Sequence, residues 1–77
     1  MPPIHMLGAI KILMYFNDHA PPHFHAVYNE FEALISINTL EILRGHLPKN
    51  QRKTVINWAS GNQAFLMAKW IAFNPDN

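Results

Sequence analysis

Residues 17 to 28 read NDHAPPHFHAVY, and several of these side chains could do chemistry. His19, His23 and His25 supply imidazole, which exchanges a proton near neutral pH and in its neutral form is a common metal ligand. Asp18 stands beside His19 and supplies a carboxylate. Three imidazoles and a carboxylate suit zinc or another divalent metal, with a position left open if water is a further ligand. The same four residues, Asp18, His19, His23 and His25, are candidates for metal-free acid–base catalysis, in which a carboxylate orients an imidazole. Water or a substrate hydroxyl would then be the nucleophile. Ser36 and Ser60 have no histidine near them in sequence, and no G-x-S-x-G motif surrounds either one.

The elements that must position these groups can be read from spacing. In a strand beginning near Pro22, residues 23 and 25 point to the same side, about 6.6 Å apart along the chain. Phe24, Ala26 and Tyr28 take the other side and read as the core face. His19 precedes them in a loop, Asn17 to Pro22, that Pro21 and Pro22 stiffen, and from there it could fold back over the strand. A structural reading stands beside the chemical one. His23 and His25 would be the exposed face of the strand, Asp18 would order the loop as an Asx-turn residue, and His19 would fix the hairpin through a backbone carbonyl. Glu30 and Glu32 lie past the hairpin strand, so no second acidic cluster completes a hydrolytic site. His5 and His46 are isolated and read as surface residues.

Alternation marks the strands. Ile10, Ile12, Met14 and Phe16 share one face of an extended segment. Further strands follow at His23 to Tyr28, Glu32 to Ile37 and Leu40 to Arg44, the last ended by Gly45. Short connections between them predict a four-stranded antiparallel meander. Beyond Pro48 the period changes to that of one helical face, through Val55, Ala59, Asn62, Leu66, Trp70 and Phe73. The predicted architecture is α+β, a single domain over residues 1–77 with one C-terminal helix on one face of the sheet. Gly61 sits inside the helical pattern, where the helix can kink or divide.

Composition narrows the functions. The chain has no cysteine, so it has neither a disulfide nor a thiolate metal site, which fits a reducing cytoplasm. No apolar run approaches the ~20 residues of a membrane span, and the amino-terminal stretch lacks the features of a secretory signal. Six Lys and Arg against five Asp and Glu give a net charge of +1, too small to argue for a nucleic-acid binder on totals. A local basic cluster is present: Lys49, Arg52 and Lys53 lie within one helical turn, with Arg44 just before them, and could meet phosphates. A solvated helix start is the plainer reading of the same residues.

The string MYFNDHAPPHFHAVYNEFEALISI, with LEILRGHLP and NWASGNQAFLMAKW after it, resembles domain-of-unknown-function family 4160, over nearly the whole chain. The family's motif falls here on Asp18, His19, Pro21, Pro22, His23, Phe24, His25 and Tyr28. Gly45, Leu47, Pro48, Trp58 and Trp70 match as well, whereas Gly61 departs from the helix former expected there. The resemblance implies a short bacterial protein, often encoded beside another small protein, in some cases with toxin–antitoxin or regulatory labels. It implies no catalytic residues, since no activity is established for the family. The expected function is an interaction module of such a two-gene system, with a small protein partner or a second copy of the chain. The alternative is a small metal- or histidine-dependent nuclease or hydrolase built on the histidine motif.

Overall fold

The computed structural model describes residues 3–16 and 18–75, so Asn17 of the expected loop lies outside the described residues. Five strands precede two helices: β1 (His5–Leu7), β2 (Ile10–Leu13), β3 (His23–Tyr28), β4 (Phe31–Ser36), β5 (Ile42–Gly45), α1 (Lys49–Ser60) and α2 (Gln63–Phe73). The strands form one antiparallel sheet in chain order, each paired with the next. The α+β meander is therefore as expected, but with five strands rather than four and two helices rather than one. The extra strand, β1, is a three-residue edge with mostly exposed side chains, so it has no alternation for periodicity to register. Gly8, at φ +58°, turns it back onto β2.

One face of the sheet holds the core. Ile10 and Ile12 on β2, Met14 after it, Phe24 and Ala26 on β3, and Ala33 and Ile35 on β4 are all buried. Val55 and Ala59 of α1 and Leu66 and Trp70 of α2 are buried in the same cluster. Burial of an Ile, Leu or Phe side chain contributes about 1.5–3 kcal/mol each, so this face holds the helices on the sheet. Phe16 departs from the expected pattern: β2 ends at Leu13, and Phe16 is exposed with its ring against Phe73, centroids 4.4 Å apart.

The expected single helix divides between Ser60 and Gln63. Gly61 is not forced by its backbone: φ −91° and ψ 0° suit any residue, and an added Cβ would meet nothing closer than 3.8 Å. Asn62 makes the break. Its Nδ2 donates to the Trp58 carbonyl at 2.8 Å, capturing a group that the helix would otherwise use. The Gln63 side-chain amide then donates to Ile37 O at 2.8 Å and ties the start of α2 to the end of β4. Gly61→Ala is accordingly expected to leave the fold intact and raise stability by about 0.4–1 kcal/mol, read by denaturant titration. A loss of stability would show that the break depends on glycine itself.

Two backbone features set the sheet's other face. The β3–β4 hairpin turns at Asn29, φ +53°, a value asparagine tolerates, and this pairs His25 with Leu34 and Val27 with Glu32. Gly45 ends β5 at φ +86°, where an added Cβ would lie 2.1 Å from Glu32 O. Only glycine allows β5 to approach the Glu32 backbone this closely. No helix among the described residues is long and apolar enough to cross a membrane.

Candidate metal centre

The sheet face opposite the core carries His23 and His25. Both are buried, at 6% and 7% exposure, which overturns the reading of them as an exposed strand face. The segment after β2 folds back over them. Tyr15 meets the His25 ring edge-on at 4.5 Å between centroids, and the Trp70 ring lies 5.2 Å from that of His23. Asp18 is brought in by the same segment, and its backbone N–H donates to the buried side chain of Asn74. Asn74 in turn donates from Nδ2 to Trp70 O at 3.2 Å and to Tyr15 O at 3.4 Å. One amide beyond the end of α2 thus clamps the loop that carries the carboxylate.

The acceptors around each ring constrain which nitrogens can carry protons. His23 Nδ1 donates to Pro21 O at 2.7 Å, and its Nε2 faces Asp18 Oδ2 at 3.0 Å. Both partners are acceptors, so the ring satisfies them only as an imidazolium, or as a neutral ring with a cation in place of the Nε2 proton. His25 Nδ1 donates to Glu32 Oε2 at 2.9 Å. Its Nε2 is buried without a hydrogen-bond partner, 3.7 Å from Asp18 Oδ2. A buried nitrogen left in that condition costs about 1–3 kcal/mol.

One ligand atom each from Asp18, His23 and His25 lies within 4.8 Å of the other two. Four-coordinate zinc with bonds of about 2.0–2.2 Å places its ligand atoms roughly 3.3–3.6 Å apart. The Asp18 oxygen lies 3.0 Å and 3.7 Å from the two imidazole nitrogens, and the widest spacing in the cluster, within 4.8 Å, would have to close around the ion. The outer partners also fit. Metal-bound histidines typically donate their other ring nitrogen to a carboxylate or carbonyl, as His25 does to Glu32 and His23 to Pro21. Two imidazoles and one carboxylate suit zinc and also ferrous iron, and the set leaves coordination positions open.

Burial opposes ionisation of Asp18, but the His19 backbone N–H, at 2.8 Å from Oδ1, and the His23 and His25 imidazoles outweigh it. The carboxyl is held below its ordinary value. A depressed carboxylate stabilises the fold above its unfolded pKa, and that contribution disappears as pH falls through the folded value. Chelator-treated protein is therefore expected to lose thermal stability on acidification from about pH 5 downward, and Asp18→Asn to flatten that dependence. Identical acid profiles for the two would contradict this role for Asp18.

The four candidates from the motif do not all converge. Asp18, His23 and His25 come together; His19 is exposed and outside the cluster, contributing its backbone N–H. Glu32, set aside in the sequence because it lies past the strand, returns through the hairpin to hold His25. The basic residues separate. Lys49, Arg52 and Lys53 are exposed on α1, and Arg52 and Lys53 border a groove with Leu40, Ile42 and Ile56. Arg44 instead lines the cleft of about 430 Å³ that opens over Asp18, His23 and His25. His5 stacks on Trp58 at 4.7 Å, and His46 is exposed, its ring edge-on to Phe31 at 5.8 Å; neither belongs to the cluster.

No curated protein and no solved structure matches the chain. The model of a domain of unknown function, DUF4160, matches residues 9–71, a span that includes every residue of the Asp18–His23–His25 cluster together with Glu32 and Arg44. The chain is a member of the DUF4160 family.

Proposed function

We propose that this protein is a divalent-metal-binding domain, with Asp18, His23 and His25 as ligands and zinc as the first candidate ion. The observation that carries the reading is His25 Nε2, a buried nitrogen with no hydrogen-bond partner, aimed at the same carboxylate that faces His23 Nε2. A cation gives that atom a partner and lets a neutral His23 ring face the Asp18 carboxylate without a proton between them. With three protein ligands, the site would keep a position for water, whose pKa zinc brings to about 7. The nuclease or hydrolase reading rests on that chemistry.

The test is elemental analysis of untagged protein purified without chelator and then titrated with zinc. About one ion per chain, bound tightly enough to survive gel filtration, is the expected result; no retained ion under either condition would overturn the reading. A second reading, an interaction module of a two-gene toxin–antitoxin-like system, draws on the exposed apolar side chains of Met6, Phe16 and Ile71. It is compatible with the first, because a partner or a second copy could cover these residues while the metal holds the loop.

A further inference from the structure

Resting on the metal reading above, we propose that the cleft over Asp18, His23 and His25 binds a small organic carboxylate, held between the metal and Arg44. The sheet register places Arg44. His25 pairs with Leu34, and Leu34 pairs with Arg44, so the three form one row across β3, β4 and β5. With strands about 4.8 Å apart, the row puts the Arg44 Cα roughly 10 Å from that of His25, within reach of a long side chain leaning over Leu34.

An irregularity in β5 aims the residues of the far wall. Leu34 pairs with Arg44 but Ile35 pairs with Ile42, leaving Leu43 without a partner in the register. In a regular strand Leu43 and Arg44 would point to opposite faces; here both line the cleft. Bulges of this kind re-aim side chains beside binding sites. No carboxylate among the described residues pairs with the Arg44 guanidinium, since the ion pairs there all involve His23 or His25.

Charge selects the ligand class. Asp18 and Glu32 offset a divalent cation, and Arg44 then leaves one positive charge facing the cleft. A carboxylate neutralises that charge, whereas a phosphate monoester, close to a dianion at pH 7, overshoots it. Guanidinium also pairs with carboxylate through two parallel hydrogen bonds. Tyr15, Leu34 and Leu43 give the cleft an apolar wall for the ligand's body.

The test uses the cobalt(II)-loaded protein, whose visible absorption reports on the metal's ligands, titrated with benzoate and with phenyl phosphate. The expected result is a saturable spectral change with benzoate, weaker binding of phenyl phosphate, and at least a tenfold loss of benzoate affinity in Arg44→Gln at unchanged cobalt affinity. Cobalt binding without a benzoate response overturns the inference alone. Benzoate binding indifferent to Arg44→Gln, or tighter binding of phenyl phosphate, overturns the ligand assignment. Failure to bind cobalt removes the metal reading itself and the inference with it.

Discussion

His25→Ala is expected to abolish stoichiometric zinc binding, because it removes the proposed ligand whose buried Nε2 has no hydrogen-bond partner. The informative comparison is a graded series. Loss of an outer partner to a metal-bound histidine weakens affinity by about 10–100-fold, which sets the expectation for Glu32→Gln. His25→Ala should exceed that, since a ligand is lost with its orienting contact, and Asp18→Ala should do the same. His19→Ala should leave zinc affinity unchanged, because its ring stands outside the cluster. Competition against a chromophoric chelator measures all four. A series in which His19→Ala weakens zinc as much as His25→Ala would mean that the ligands are drawn from the motif's sequence and not from this geometry. Circular dichroism of each metal-free variant separates loss of affinity from loss of fold.

The largest expected effect on stability is at Trp70. Its side chain is 2% exposed, sits in the core cluster with Leu66 and Val55, and lies against the His23 ring. Trp70→Ala is expected to cost about 3–5 kcal/mol. Domains are stable by only about 5–15 kcal/mol in total, so much of that margin disappears. For a chain of this size each kcal/mol shifts the melting temperature by about 4–8 °C, so calorimetry should register a fall of roughly 10–40 °C. A cost below about 1 kcal/mol would mean that α2 is not anchored on the sheet through this residue. The same variant should weaken zinc binding beyond the stability effect, since it removes the ring that packs against the His23 imidazole, 5.2 Å between centroids.

Most of the fold could be read from local pattern. Strands β2 to β4 and the helical stripe followed from periods of two and of about 3.6, because the core face buries residues at those intervals, whereas β5, with no buried residue, was marked only by the turn before it and Gly45 at its end. What escaped had no such signal. β1 is too short and too exposed to alternate, and the break between α1 and α2 depends on the Asn62 side chain taking the Trp58 carbonyl, a competition invisible to hydrophobic spacing.

The candidate site divides in the same way. Asp18, His23 and His25 were visible as residue types at short range, but their burial was not, because it depends on Tyr15 and Trp70 closing over the strand. The place of Glu32 was recoverable in principle. Once the turn at Asn29 fixes Tyr28 opposite Phe31, Glu32 falls opposite Val27, on the same face as His25 and diagonal to it. Asn74 was beyond reach, since nothing local links it to a loop 56 residues away.

That clamp has a consequence for the order of assembly during synthesis. A nascent chain that has reached Ser36 can already form the β3–β4 hairpin and set both histidines, with Glu32 behind His25. It cannot yet hold the Asp18 loop as the finished protein does, because the amide that receives the Asp18 N–H belongs to residue 74 and docks with α2. Until then an ion would find two imidazoles and an unplaced carboxylate, a weak and readily exchanged site. Capture of the metal would therefore follow docking of α2, and the bound ion would report that the last helix has reached its place.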